Sequence, residues 1–191
     1  QNQLFAIEGN IMKTNLIEVF SSIQGEGKYV GCRQLFVRFS GCNLNCQYCD
    51  TNFSHDNYEK CKIEKVAGKR IFEEIDNPLK IDVLAKKIND LTIENHHSVS
   101  FTGGEPLLSV NFLDKLLDKV TAPKYLETNG TLPLALDKVI EKLDYISMDI
   151  KLPSILDKAY WTEQEDFLKI ASQKEAFVKL VINDKMTKKE V

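Results

Sequence analysis

The sequence predicts an α/β fold in which a parallel sheet covered by helices forms a partial, open β/α barrel. From Gln34 onward, short runs rich in β-branched and aromatic residues alternate with longer amphipathic segments. This alternation is typical of repeated strand–helix units. About five or six strands are predicted, fewer than the eight of a closed barrel. We therefore expect an open barrel whose chemistry lies at the carboxyl ends of its strands.

Each predicted element is recognised by its hydrophobic period. The predicted strands are short apolar runs, at 34–40, 98–102, 125–127, 145–149 and 176–182. The predicted helices carry apolar residues at helical spacing, at 82–91, 111–120, 134–143 and within 155–171, with a further helix expected from Thr187. The loops that follow the strands hold the unusual sequences, at 41–51, 103–106, 128–130 and 149–151. Because these loops share one edge of a parallel sheet, we expect them to form a single site.

Two segments stand outside this alternation. Residues 52–79 are polar, and the short apolar runs on both sides of Gly68 predict a hairpin in an insertion that caps the site. Residues 1–11 precede Met12 and are expected to be vector-derived, which leaves 12–191 as a single domain.

Composition argues against several classes of function. The chain has 191 residues and a net charge of −3, so its surface as a whole is not that of a nucleic-acid-binding protein. It contains no apolar run long enough to span a membrane and no secretory signal pattern, so we expect a cytoplasmic protein with reduced thiols. In that setting, clustered cysteines favour a metal over disulfides.

Three of the five cysteines, Cys42, Cys46 and Cys49, lie on one short loop with the spacing C-x3-C-x2-C. Thiolates at this spacing can bind three corners of a [4Fe-4S] cluster and leave the fourth iron without a protein ligand. An open iron can chelate the amino and carboxylate groups of S-adenosylmethionine (SAM), which can then accept an electron and be cleaved to a radical. The spacing therefore predicts a cluster that works with SAM.

Structural zinc is the alternative interpretation of the same loop. Cys61 or His55 would complete a tetrahedral site, and short cysteine pairs serve zinc as well as iron. A zinc-binding interaction module therefore remains a second candidate function. Otherwise Cys32 and Cys61 are expected to bind no metal, and His55, His96 and His97 are expected to be exposed polar residues.

The cysteine loop resembles the cluster loop of the radical SAM superfamily. Residues 102–106, Thr-Gly-Gly-Glu-Pro, resemble the second motif of that superfamily, in which a glycine pair approaches the amino group of SAM. The resemblance implies SAM contacts at Tyr48, Cys49, Asp50, Gly104, Asp149, Ile150 and Lys151, although many members have Ser-x-Lys at the last three positions.

Within that superfamily, residues 12 to about 153 resemble the 7-carboxy-7-deazaguanine synthases. The resemblance is carried by Ser-Ile-Gln-Gly-Glu-Gly at 22–27, Phe-Val-Arg-Phe-Ser-Gly at 36–41 and Cys-Asp-Thr at 49–51. It implies the radical ring contraction of 6-carboxy-5,6,7,8-tetrahydropterin, with loss of ammonia, in the biosynthesis of 7-deazapurines such as queuosine. It also implies a bound Mg²⁺, a hard cation that suits a hydroxyl ligand, at Thr51.

The same resemblance implies substrate contacts and partners. The implied substrate contacts are Ile23, Gln24, Gly25, Arg38 and Thr102. Arginine suits the carboxylate of the pterin, although Arg38 on a strand is also compatible with a surface charge, and Gln24 with a solvated loop residue. The implied partners are a flavodoxin- or ferredoxin-type electron donor and a second copy of the chain, with no nucleic acid or membrane.

No residue is assigned as a catalytic acid or base. Glu127 and Asn129 follow a strand and are candidates only to line the site. A third function remains open at this point, because an activating enzyme for a glycyl radical protein would share the cysteine loop. Such an enzyme would need a protein-docking face in place of Gln24 and Arg38.

Overall fold

The computed structural model describes residues 12–46, 49, 52–56, 58–92, 95–156 and 158–182. Its strands are β1 (Lys13–Thr14), β2 (Leu16–Ile23), β3 (Arg33–Phe39), β4 (Lys60–Glu64), β5 (Phe72–Asp76), β6 (Leu79–Lys80), β7 (Ser98–Gly103), β8 (Lys124–Thr128), β9 (Tyr145–Ile150) and β10 (Glu175–Leu180). Its helices are α1 (Ile81–Leu91), α2 (Val110–Leu117), α3 (Pro133–Val139), α4 (Pro153–Leu156) and α5 (Trp161–Ala171). Short 3-10 segments lie at Gly27–Tyr29, Asn52–His55, Pro106–Ser109 and Ile140–Lys142. The helix expected from Thr187 lies outside the described residues.

Eight of these strands form one mixed sheet in the order β10-β9-β8-β7-β3-β2-β4-β5, while β1 and β6 pair separately. The five strands from β10 to β3 are all parallel to their neighbours, which confirms the predicted open β/α arrangement. Their carboxyl ends lead into the cysteine loop after β3, the Gly-Gly loop after β7 and the loops after β8 and β9. The predicted gathering of unusual sequences at one edge is therefore observed.

Strand β2 was not predicted, because the strand–helix pattern was traced only from Gln34. It runs antiparallel to β3 with Ile23 opposite Arg33, so Gln24 and Gly25 lie near the amino end of β3. The side chains of β2 alternate between buried and half-buried after Ile17, but the sequence does not show this period of two, because Ser21 is buried and Phe20 is half-buried.

The insertion forms the predicted hairpin, with β4 and β5 antiparallel on either side of Gly68. The expectation that the insertion caps the site stays a prediction, since Ser54 lines the cavity beside the cysteine loop while no described residue of the hairpin does. β4 pairs with β2, and the buried side chains of Cys61 and Ile63 extend the core, so the hairpin widens the sheet instead.

The helices bury regularly spaced apolar side chains against the sheet. In α1 the buried residues are Leu84, Ala85, Ile88 and Leu91, which lie on one face of the helix. Full burial of each large aliphatic side chain is worth roughly 1.5–3 kcal/mol, so this packing holds the sheet as a rigid support for its loops. None of the helices in the described ranges has the length and apolar character needed to cross a membrane.

Candidate functional site

A cavity of about 760 Å³ runs along the inner face of the parallel strands, from the amino end of β3 to the cysteine loop that follows it. Most of the predicted site residues line this cavity: Ile23, Gln24, Gly25, Arg38, Cys42, Cys46, Cys49, Thr102, Gly104, Asp149 and Lys151. Tyr48, Asp50 and Thr51 lie outside the described residues. The fold therefore brings the cysteine loop and the expected substrate contacts into one cavity.

Ile150 is the described exception among the predicted residues. Successive side chains of a strand point to opposite faces, so Asp149 and Lys151 face the cavity while Ile150 packs against the hydrophobic core. Only the backbone of Ile150 remains available for a contact with a ligand in the cavity.

The cysteine loop begins at Gly41, whose φ of +91° is strained for other residues. Cys42, Cys46 and Cys49 form no disulfide bonds. Burial raises the pKa of the Cys42 thiol to about 11, and burial also raises the pKa of the Cys46 thiol, against the lowering effect of Lys151. The thiols of Cys42 and Cys46 are therefore protonated at neutral pH without a metal, and metal binding has to release their protons.

The Gly103–Gly104 pair lets the loop after β7 lie directly on the cysteine loop. A Cβ on Gly104 would stand 1.9 Å from the carbonyl oxygen of Gly41, and a Cβ on Gly103 would stand 2.3 Å from that of Phe39. The backbone N–H of Glu105 also donates to the Gly41 carbonyl at 2.8 Å. The glycine pair is therefore needed for the loop after β7 to pack against the start of the cysteine loop, which fixes the position of that loop at the end of β3.

The arrangement of ligands does not favour zinc. Within the described part of the chain, no three His, Cys, Asp or Glu side chains are grouped so that they could hold one metal ion. A zinc ion needs its thiolates at about 2.3 Å from one centre, whereas a cubane cluster binds each thiolate at a different iron. Cys61 lies in the hydrophobic core and does not line the cavity, so it is not a fourth ligand.

Glu105 links the loops after β7 and β8 by hydrogen bonds. Its carboxylate, 1% exposed, accepts hydrogen bonds from the backbone N–H of Leu107 at 3.0 Å and of Asn129 at 2.8 Å. The Thr128 hydroxyl lies 3.0 Å from both carboxylate oxygens. Burial, opposed by these hydrogen bonds, raises the pKa of Glu105 to about 7. Glu105 therefore connects the β7 and β8 loops and does not itself line the cavity.

The opposite end of the cavity is built from strand side chains. The Gln24 amide donates to Glu127 at 2.7 Å and to Gln34 at 2.9 Å, and it is 4% exposed, so it is not a solvated loop residue. Glu127 also accepts from the hydroxyls of Thr102 at 3.1 Å and Ser100 at 3.3 Å. Three adjacent strands, β3, β7 and β8, and the loop after β2 thus contribute to one polar network around the Glu127 carboxylate.

Arg38 faces the cavity, which settles the two orientations open to it on the strand. Its Nε donates to Glu18 on β2 at 2.9 Å, and its guanidinium lies 5.7 Å from the ring of Phe20. Glu18 and Phe20 therefore hold the arginine in place at the cavity wall.

A second basic residue, Lys179 on β10, lines the cavity and was missed from the sequence. Its ammonium lies 2.7 Å from Glu26 and 3.1 Å from Asp149, and Lys151 pairs with the other oxygen of Asp149 at 3.0 Å. Although burial lowers the pKa of Lys179, the surrounding carboxylates raise it well above its usual range. The available signal was a single lysine within the apolar run Ala-Phe-Val-Lys-Leu of this strand.

Two of the three histidines depart from the expected exposure. His96 is buried and its Nε2 lies 2.9 Å from the Ser21 hydroxyl. His97 is half-buried, contacts the Ser98 hydroxyl and lies against the rings of Tyr29 and Tyr145. Both histidines come directly before the first residue of β7. His55 is exposed as expected.

Comparisons with known proteins show the family of the chain. The sequence profile of the Radical SAM superfamily matches residues 36–179. A 7-carboxy-7-deazaguanine synthase of Geobacter sulfurreducens is 44% identical over 88% of this chain and 70% of its own length. The protein of that name from Archaeoglobus fulgidus is 39% identical over 94% of this chain and 76% of its own.

Two further comparisons cover less of the relative or reach lower identity. The protein of the same name from Methanothermobacter thermautotrophicus is 45% identical over 74% of this chain, which spans about half (51%) of that relative. A solved structure of QueE from Escherichia coli is 20% identical, with a TM-score of 0.51 over 91% of this chain and 86% of that one. This last likeness supports the radical SAM type of partial barrel.

Proposed function

Because the chain belongs to the radical SAM superfamily and, within it, to the 7-carboxy-7-deazaguanine synthases, we propose that it contracts the ring of 6-carboxy-5,6,7,8-tetrahydropterin. The products are 7-carboxy-7-deazaguanine and ammonia, so the enzyme is a carbon–nitrogen lyase of 7-deazapurine biosynthesis. The observation that carries this proposal is one cavity that joins three thiols at one end to Gln24, Arg38 and Glu127 along its length.

Cys42, Cys46 and Cys49 are the proposed ligands of the [4Fe-4S] cluster that the superfamily implies. When bound, the cluster and SAM supply the one-electron chemistry that removes a hydrogen atom from the substrate. Gly104, Asp149 and Lys151 line the wall beside the thiols and are proposed contacts of SAM, as is the backbone of Ile150. Cys49 and, outside the described residues, Tyr48 and Asp50 are further proposed contacts of SAM.

The other end of the cavity suits the two polar edges of a carboxypterin. The aminopyrimidine edge presents N–H donors, and the Glu127 carboxylate, held by Gln24 and Thr102, offers acceptors for them. The pterin carboxylate is proposed to meet Arg38, whose Nε is already held by Glu18, so that its terminal amino groups face the ligand. Ile23 and Gly25 complete the proposed substrate contacts.

Four finer points are also proposals. Mg²⁺ is proposed to bind Thr51, since a hydroxyl is a suitable ligand for this hard cation. The electron donor is proposed to be a flavodoxin or ferredoxin, the assembly a homodimer and the compartment the cytoplasm, where thiols stay reduced.

The decisive experiment is a product assay on anaerobically reconstituted protein. With dithionite, SAM, Mg²⁺ and 6-carboxy-5,6,7,8-tetrahydropterin, we expect 7-carboxy-7-deazaguanine, detected by mass spectrometry. A matched Cys46→Ala variant should form none, because it lacks one cluster ligand. Cleavage of SAM without the deazaguanine product would overturn the proposed substrate, and one zinc with no iron per chain would overturn the proposed reaction type.

A further inference from the structure

A closed ring of side-chain hydrogen bonds joins the cysteine loop to the loop after β8. Asn129 Nδ2 donates to Asn43 Oδ1 at 2.9 Å, and Asn43 Nδ2 donates to Thr131 Oγ1 at 2.8 Å. The Thr131 hydroxyl then donates to Asn129 Oδ1 at 2.6 Å and closes the ring. Asn129 and Thr131 are buried while Asn43 is exposed, so the hydrogen bond between Thr131 and Asn129 is the part of the ring that is shielded from water.

The chemistry of the ring fixes which way the Asn129 amide points. The backbone N–H of Thr131 can only donate, and it donates to Asn129 Oδ1 at 3.1 Å. The oxygen of the amide must therefore face Thr131, and Nδ2 must face the cysteine loop. In this orientation Nδ2 lies 3.9 Å from Cys42 Sγ as well as within hydrogen-bond distance of Asn43.

Asn129 is itself held from behind. Its backbone N–H donates to the buried Glu105 carboxylate, which also binds Thr128 and the start of the Pro106–Ser109 segment. The side chain of Asn129 therefore projects from a rigid support towards Cys42. The Cys42 sulfur also accepts from the backbone N–H of Leu44 at 3.4 Å. Among substitutions at Leu44, only proline would remove this donor.

We propose that Asn129 is a positioning and tuning residue for the cluster, because its fixed amide donates an N–H···S hydrogen bond to the ligand thiolate of Cys42. This inference rests on the proposed function, since it requires a cluster at Cys42. Hydrogen bonds to the sulfurs of an iron–sulfur cluster set its reduction potential. A donor stabilises the extra negative charge of the reduced cluster, so Asn129 makes the cluster easier to reduce.

The test is the reduction potential of the reconstituted cluster, measured by redox titration with electron paramagnetic resonance. Asn129→Leu removes the donor at similar size, and Asn129→Asp removes it while keeping an acceptor for Thr131. Both variants should have a more negative potential than the wild type, and the aspartate the more negative of the two because it adds charge. If the leucine variant fails to hold iron, Asn129→Asp provides the measurement, because it keeps the oxygen that accepts from Thr131.

The matched control is Thr131→Val, which breaks the ring but keeps the backbone N–H that orients the amide. This variant should lose stability and keep the wild-type potential. An unchanged potential in both Asn129 variants would overturn the inference, as would an equal shift in Thr131→Val. A wild-type protein that binds no iron would refute the proposed function instead, so the two failures are distinguishable.

Discussion

Two regions of the molecule are each held by hydrogen bonds to one buried glutamate: the loop edge, formed by the loops after β7 and β8, by Glu105, and the hairpin of the insertion by Glu64. The pKa values of the two carboxylates nevertheless shift in opposite directions. Glu105 and Glu64 are both 1% exposed and both accept hydrogen bonds from three residues. The donors to Glu64 are the backbone N–H groups of Ser21, Gly68 and Arg70. Nevertheless, the pKa of Glu105 is raised to about 7 and that of Glu64 is lowered.

The difference lies in the neighbours and the depth of burial. Burial raises the pKa of both groups, but at Glu64 the three backbone donors and the charge of Arg70 outweigh it. At Glu105 burial prevails, and the Asp149 carboxylate raises the pKa further. The number of hydrogen bonds to a buried carboxylate therefore does not decide its charge. The charge also depends on the neighbouring charged groups and on how deeply the carboxylate lies below the surface.

The largest expected effect is that of Glu105→Gln. A glutamine has one acceptor oxygen, so its amide nitrogen would face the backbone N–H of either Leu107 or Asn129 and leave it unsatisfied. We expect the free energy of unfolding of the metal-free chain to fall by about 2–3 kcal/mol, measured by urea denaturation. Iron retained after reconstitution should fall as well, because the loops on both sides of the cysteines lose their common support.

Glu64→Gln is the control for that variant. It should cost about 1–2 kcal/mol, because Gly68 and Arg70 are exposed and water can replace the acceptor that their backbone N–H groups lose. Iron content should stay at the wild-type level, since Glu64 does not line the cavity. An equal loss of iron in both variants would show that the two regions are not independent.

A third carboxylate, Glu127, sharpens the comparison because it faces the cavity. Its donors are the side chains of Gln24, Ser100 and Thr102, which can reorient, so Glu127→Gln should change the free energy of unfolding by less than about 1 kcal/mol. The KM for the pterin should rise about tenfold or more, because a charged acceptor for its N–H donors is lost. Steady-state kinetics with an unchanged KM would exclude Glu127 from the substrate site.

The sequence predicted the parallel part of the fold and the cysteine end of the site, because both are encoded locally. The spacing of Cys42, Cys46 and Cys49 within one loop fixes their proximity, and the strand–helix period fixes the edge at which that loop lies. Ile150 stays a proposed contact through its backbone, because successive side chains of a strand point to opposite faces and that of Ile150 packs against the core.

The remaining parts depend on contacts between distant segments. Lys179 reaches Asp149 and Glu26 only because β10 pairs with β9 and the loop after β2 returns to the same face. The burial of His96 likewise results from the pairing of β2 with β3, which brings Ser21 to it. No local pattern encodes these distances, so they become visible only once the sheet order is known.

The smallest expected effect is on the pH dependence of stability, and it has opposite signs in the two regions. Folding raises the pKa of Glu105 from 4.5 to about 7, so its contribution is complete below about pH 4.5 and is lost as the pH rises towards 7. Folding lowers the pKa of Glu64, so its contribution is present above about pH 4.5 and is lost as the pH falls through the lower value.

Urea denaturation of the metal-free chain across this range separates the two contributions. Relative to the wild type, Glu105→Gln should lose least at about pH 7 and most at about pH 5, because the contribution it removes fades as the pH rises. Glu64→Gln should lose most near neutral pH and least in acid. If both variants showed the same pH profile, the opposite charge states of the two carboxylates would be refuted, and the difference between the loop edge and the hairpin would reduce to hydrogen bonding alone.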